Sequence, residues 1–245
     1  MNIAGTTTVG ELASKLPNAT KVFAKYGIDF CCGGGVSLAD ACSGAGVKFD
    51  ELVRAIEESN PQAADSGPSG DYSKMGLRAL VDHILSTHHV FTRNELPRLG
   101  QLVEKVVGVH GSRHPELASV RELFHALYAD LDPHLMKEEN ILFPYLAELG
   151  AAAERGSRCA PPMFGTVQNP VRMMQMEHDA VGDLLKRLRT VTSNYTTPAD
   201  GCFSYQTLYS GLEAFEADLL QHIHLENNVL FPLAIEMESG AAQTL

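Results

Sequence analysis

The strongest constraint on this chain is a phrase that it contains twice. HLMKEENILFP occupies residues 134–144 and HIHLENNVLFP occupies 222–232, sharing the His, the Glu four residues on, an Asn and the closing Leu, Phe and Pro. A phrase repeated at one fixed offset marks an internal repeat, and the offset from 134 to 222 is 88 residues. If each copy is the second helix of a doubled hairpin, the first helices should match at nearly the same offset. His89 in STHHVF and His178 in QMEHDAV do, 89 residues apart. Each half therefore carries one lone His and one HxxxE.

The rest of the chain predicts helices to carry that repeat. Segments at roughly 75–107, 115–149, 169–192 and 205–238 have helical apolar spacing and no strand-like alternation. Joined by GVHGSRHP, GAAAERGSRCAPPMFGTVQ and TSNYTTPADGCF, they predict an antiparallel four-helix bundle. Upstream, NPQAADSGPSGDY has the Pro, Gly, Ser and Asp content of a linker and no apolar period. The chain thus reads as all-α: a small N-terminal helical domain over 1–59, a linker over 60–72 and the bundle over 73–240. The small domain opens with a capping box, Thr8 to Glu11, followed by helical spacing at Val9, Leu12, Leu16, Ala19, Val22 and Phe23. Short helices follow from Ser37 and at FDELVRAIEES, and a Gly-rich turn ahead of Ser37, in the middle of the module, holds Cys31 and Cys32.

Residues i and i+4 lie about 40° apart around a helix, so each HxxxE points two donors to one side. Aimed into a bundle core, His89, His134, Glu138, His178, His222 and Glu226 would meet. Four imidazoles and two carboxylates buried together are unfavourable unless positive charge lies among them, and two divalent metals supply it. Mixed nitrogen and oxygen ligands in a helix bundle point to two non-haem iron ions, with Glu138 and Glu226 bridging and two His capping each. Open positions would remain for O₂, NO or an oxo or hydroxo bridge. Structural zinc prefers thiolates and a single tetrahedral set; manganese accepts the same ligands as iron.

Metal-bound imidazoles need support on their other nitrogen, and the candidates are Asp130, four residues before His134, and Glu177, just before His178. His83, His88, His110, His114 and His125 lack a partner at the repeat offset, and His224 lies on the far side of its helix from His222. These six read as surface or packing residues, with a one-residue slip between His88 and His89 the only competing register. Pro144 and Pro232 remove the helical partners of the carbonyls of Asn140 and Asn228, which predicts a kink just past the ligands. Pro133 predicts a bend or break immediately before His134. The methionines of VRMMQMEHDA read as flexible core rather than as ligands.

A net charge of −11 disfavours nucleic acids and anionic membranes as partners. The first residues lack the basic and apolar pattern of a signal peptide, and no segment reaches the roughly 18 apolar residues of a membrane span. Five cysteines at 31, 32, 42, 159 and 202, two of them adjacent, do not form a disulfide framework. Reduced thiols in an acidic chain point to the cytoplasm. Cys31 and Cys32 precede Ser37, a helix N-cap with Asp40 three residues on, where a thiolate would have a lowered pKa and react readily. They are the candidate reactive residues. Cys42, Cys159 and Cys202 read as unreactive.

YGIDFCCGGGVSLADAC resembles the N-terminal signature of the repair-of-iron-centres family, the ScdA or YtfE type. HHVF, HLMKEENILFP, MEHDAVG and HIHLENNVLFP resemble that family's hemerythrin-like half, in order and spacing. The resemblance covers nearly the whole chain. It implies a cytoplasmic non-haem di-iron protein that restores iron–sulfur clusters damaged by nitrosative or oxidative stress, through iron donation, with the damaged iron–sulfur proteins as its partners. The same six residues would hold the irons, and the role of Cys31 and Cys32 is left open by the match. Two other readings stand beside repair: a catalyst reducing NO or peroxide, and an O₂ or NO carrier or sensor of the hemerythrin type. The oligomeric state, a homodimer included, is not legible.

Overall fold

The computed structural model describes residues 3–59 and 71–243, with side chains through residue 240. Most of the expected linker, residues 60–70, lies outside the described residues. The fold is helical, and its elements are α1 (Val9–Lys15), α2 (Ala19–Lys25), α3 (Leu38–Ala45), α4 (Phe49–Ser59), α5 (Leu77–Ile84), α6 (Val90–His110), α7 (Glu116–Lys137), α8 (Phe143–Glu154), α9 (Gln168–Val191), α10 (Phe203–Leu225) and α11 (Phe231–Gln243). A 3₁₀ turn spans Tyr72–Lys74. Among the described residues the only strand-like pairing is an isolated antiparallel bridge between Thr8 and Ser37. No described helix is long and apolar enough to cross a membrane.

Among the described residues, three single turns of π-helix interrupt the long helices, at Leu85–His89, Glu138–Leu142 and Glu226–Leu230. In each, the amide of the following residue bonds five positions back instead of four: Val90 to Leu85, Phe143 to Glu138 and Phe231 to Glu226. The departure expected at Pro144 and Pro232 takes this form, one wide turn just before each proline. The wide turn at Leu85–His89 has no proline beside it, so proline is not the sole cause. Pro133 does not break its helix: α7 runs through it to Lys137.

The chain divides into two compact units. The first comprises Met1–Asp82, Leu146–Gln168 and Leu220–Leu245. The expected N-caps are present: Thr8 Oγ1 accepts from the Glu11 amide, and Ser37 Oγ from that of Asp40. Its core includes Phe23, Leu38, Leu52, Ile56, Leu77 and Phe231, all fully buried, each contributing roughly 1.5–3 kcal/mol. Within this unit the loop after Asp29 lies against the turn Glu226–Leu230. Asn228 Nδ2 donates to the carbonyls of Phe30 (3.3 Å) and Cys31 (2.9 Å), and His224 Nδ1 lies 3.1 Å from the Phe30 carbonyl. The approach explains two glycines. A Cβ on Gly34 would fall 2.0 Å from Asn228 Oδ1, and one on Gly10 would fall 2.7 Å from it.

The second unit comprises His83–Tyr145 and Asn169–Leu219. Here α6 packs on α7, with Leu96, Leu99, Val103 and Val106 buried at helical spacing on one side and Val120, Phe124, Leu127 and Leu131 on the other. Of the Met-rich run in α9, only Met174 is buried; Met173 and Met176 are exposed, which corrects their reading as core.

Candidate metal centre

The wide turns are where the candidate ligands sit. His89 ends the first, Glu138 opens the second and Glu226 opens the third, while His134, His178 and His222 come from α7, α9 and α10. A π turn reorients the side chains at its ends relative to the regular helix, and such turns concentrate at functional sites. All six residues are at most 3 % exposed. Their donor atoms form two groups, His89, Glu138, His222 and Glu226, and His134, Glu138, His178 and Glu226, with the ligand atoms of each group within 4.8 Å of one another. Both glutamates belong to both groups.

The contacts within each group show how the donors converge. Glu138 divides its carboxylate, with Oε2 3.4 Å from His89 Nε2 and Oε1 3.3 Å from His134 Nε2. His134 Nε2 and His178 Nε2 stand 3.1 Å apart, and His222 Nε2 is 2.9 Å from Glu226 Oε1. Two imidazole nitrogens pointing at one another across 3.1 Å aim at the same point. Buried imidazole nitrogen and carboxylate oxygen donors, with no thiol among them, suit a borderline transition metal such as iron and fit poorly with a structural zinc site.

Two of the imidazoles are oriented through Nδ1. His89 Nδ1 lies 2.9 Å from Glu139 Oε1, and Arg93 holds that carboxylate through Nε to Oε1 (3.0 Å) and Nη2 to Oε2 (2.8 Å). His134 Nδ1 lies 2.7 Å from Glu177 Oε2, and Lys137 holds the other oxygen of Glu177. A carboxylate on Nδ1 fixes the tautomer that turns the Nε2 lone pair inward and makes it a better donor. Burial raises the pKa of Glu139 and of Glu177, but the bonds from Arg93 and His89, and from Lys137 and His134, outweigh it and hold both below the ordinary glutamate value.

Glu177 thus serves His134, on another helix, and not its neighbour His178, because consecutive helical residues point about 100° apart. Asp130 is exposed and makes no hydrogen bond or ion pair among the described residues. Its side chain is short and, like all helical side chains, leans toward the N-terminus, away from His134. Glu139 escaped the sequence reading altogether. The signal was available: Arg93 four residues after His89 predicts a cation on the same face. His88 is buried but turns to Asp218, its Nδ1 2.9 Å from Oδ1, which leaves His89 as the member of the metal group.

The cysteine loop differs from expectation. Its amides do point at an anion, but that anion is the Asp29 carboxylate: Oδ1 accepts from the amides of Cys31 (3.2 Å), Cys32 (3.0 Å) and Gly33 (3.1 Å). Cys31 is buried, with Sγ 3.3 Å from the same oxygen and 3.9 Å from Cys32 Sγ. The bond to the Cys32 sulfur, burial and the adjacent carboxylate all push the Cys31 thiol above its ordinary pKa, the reverse of the predicted lowering. Asp29, Cys31 and Cys32 form a third group able to hold a metal ion.

The Hemerythrin HHE cation binding domain model matches residues 80–234, and ScdA_N, a domain described as of unknown function (DUF542), matches residues 5–60. The chain is similar to a probable iron–sulfur cluster repair protein of Haemophilus influenzae, 38 % identical over 91 % of this chain and 94 % of the relative. It is 36 % identical to the iron–sulfur cluster repair proteins YtfE of Yersinia pseudotuberculosis and Yersinia pestis, over 94 % of this chain and 97 % of each relative.

Proposed function

The chain belongs to the hemerythrin HHE family, in the form that also carries an ScdA_N domain, and from that premise we propose that it repairs damaged iron–sulfur clusters by giving up iron held at the buried His and Glu groups. The hemerythrin domain implies non-haem iron. Two ions are proposed, one with His89 and His222 and one with His134 and His178, bridged by Glu138 and Glu226. The observation that carries this reading is the sharing of both glutamates by the two four-residue groups. Iron held by these residues would supply an exchangeable ion able to bind small ligands such as NO and O₂. The names of the relatives supply the client class, iron–sulfur proteins in need of repair.

In this reading the protein's own residues divide the work. Glu139 and Glu177 hold His89 and His134 with their Nε2 atoms inward, Arg93 and Lys137 keep those carboxylates charged, and Cys31 and Cys32, with Asp29, form the relay through which iron leaves. The site of action is the cytoplasm, and nitrosative or oxidative damage is the condition that calls for repair.

The test replaces both bridging residues. Glu138→Ala/Glu226→Ala should retain less than roughly a tenth of wild-type iron by elemental analysis, since each ion loses two of its ligands. It should also fail to reactivate a nitrosylated iron–sulfur enzyme. Full reactivation by this variant would overturn the proposal. Stoichiometric loss of iron to the client supports donation, whereas sustained N₂O formation with turnover would assign the site to NO reduction instead.

A further inference from the structure

A second reactive group lies in the second unit, among residues that belong to none of the metal groups. Cys202 is exposed and directly precedes α10, and its carbonyl accepts the first helical bond, from the Gln206 amide at 3.0 Å. It therefore occupies the N-cap position of a 23-residue helix. His110, the last residue of α6, is 3 % exposed and places Nε2 3.1 Å from Cys202 Sγ.

The His110 ring also neighbours that of His114, with centroids 6.1 Å apart. His110 Nδ1 is buried and has no hydrogen-bond partner among the described residues, and the ring packs edge-on against Tyr205 with centroids 5.3 Å apart. Burying an imidazole whose only hydrogen bond is to a thiol is unfavourable, so packing alone does not explain it. The acids nearby are already engaged. Asp200 accepts from His114 Nε2 (3.0 Å) and lies 3.3 Å from Arg113 Nη1, while Glu116 pairs with His114 Nδ1 at 3.0 Å. No uncompensated carboxylate therefore opposes negative charge on the sulfur.

A thiol at a helix start, beside a buried imidazole and open to solvent, combines the features that make a cysteine nucleophilic: a base for its proton, amide dipoles for the developing charge and access for the reagent. We propose that Cys202 is a thiol-modification site for hydroperoxides, with His110 as the general base. His110 takes the proton from Sγ, and the sulfur attacks the terminal oxygen of ROOH. The O–O bond breaks as the S–O bond forms, Cys202 is oxidised to the sulfenic acid, the peroxide is reduced to ROH, and the proton held by His110 passes to the departing RO⁻. The proposal does not depend on the metal centre.

The test uses the full-length protein, tert-butyl hydroperoxide with a dimedone-class sulfenic acid trap, and iodoacetamide in parallel, with peptide mass spectrometry to separate the five cysteines. Cys202 should be the first residue trapped, and its alkylation at pH 7 should exceed that of N-acetylcysteine by at least tenfold. His110→Gln should slow both reactions at Cys202 by at least tenfold and leave Cys159 unchanged, in keeping with the roughly 10²–10⁴-fold reach of a positioned base. Equal rates at Cys202 in wild type and in a folded His110→Gln variant would overturn the proposal. So would alkylation of wild-type Cys202 no faster than the free thiol, which decides the matter even if the variant does not fold.

Discussion

The two copies of the repeated phrase present the same ligands but differ in what surrounds them. In the first copy Glu139 and, from α9, Glu177 reach the Nδ1 atoms of His89 and His134, and Arg93 and Lys137 stand behind them. The equivalent of Glu139 in the second copy is Asn227, whose Nδ2 donates to the Cys31 carbonyl at 3.3 Å. Met136, exposed in the first copy, becomes His224, fully buried and 3.1 Å from the Phe30 carbonyl. Asn140 donates to the Met136 carbonyl of its own helix; Asn228 keeps the equivalent bond, to the His224 carbonyl at 3.3 Å, and adds bonds to Phe30 and Cys31. One copy therefore uses its variable positions to orient the imidazoles of the candidate metal groups and the other to hold the cysteine loop. Duplication supplied one scaffold, and the positions between the shared His and Glu gave each copy a separate task.

The sharpest way to break this comparison is to titrate His224, since Met136 offers nothing to titrate. Burial, only partly offset by the bond to the Phe30 carbonyl, lowers its pKa to about 4. The unfolded chain, with an imidazole near the ordinary value of about 6.5, takes up the proton first. The neutral ring therefore contributes stability that is present above about pH 6.5 and lost as the pH falls toward 4. Relative to His224→Gln, which does not titrate, the wild type should lose on the order of 3 kcal/mol between pH 7 and pH 4 in denaturant melts, by linkage. Parallel curves for the two proteins would show that the loop contact is not sensitive to this proton.

Next in size are the orienting acids. Glu139→Gln and Glu177→Gln should each weaken iron binding by roughly 10- to 100-fold in chelator competition, the usual range for a carboxylate behind a metal-bound imidazole. Asn227→Ala should change it by less than about threefold. An equal loss in Asn227→Ala would erase the division of labour. The smallest effect separates the two asparagines. Asn228→Ala removes bonds to two part-buried carbonyls and should cost about 1–2 kcal/mol, against less than about 0.5 kcal/mol for the exposed Asn140→Ala, read from urea midpoints.

The repeat made the shared parts of this molecule legible and hid what is particular to each half. His89, His134, Glu138, His178, His222 and Glu226 stand out because the offset recurs, and the structure brings all six into the two groups. Glu139 could not be found that way, because its counterpart is Asn227 and a search for matched acids discards it. His110, Cys202 and His224 were passed over for the same reason: each acts on a partner distant in sequence, and no local pattern announces it. The loop chemistry failed differently. Proximity to the start of α3 suggested a stabilised thiolate, but Asp29, two residues earlier than Cys31, folds back to satisfy the same amides. The helix register was easier, since Pro144 and Pro232 announce a disturbance. That it would be a widened turn and not a bend depends on packing that the sequence does not spell out.

A wide turn lodges one surplus residue in a helix without ending it. Everything after it is rotated by about 100° relative to an uninterrupted helix. Leu146 and Leu149 of α8, and Ala234 of α11, are buried in this shifted phase. The segments upstream and downstream of Glu138 and Glu226 can therefore vary their apolar patterns separately. Removing a single residue from either turn would restore ordinary winding, and with it rotate a whole buried face into water.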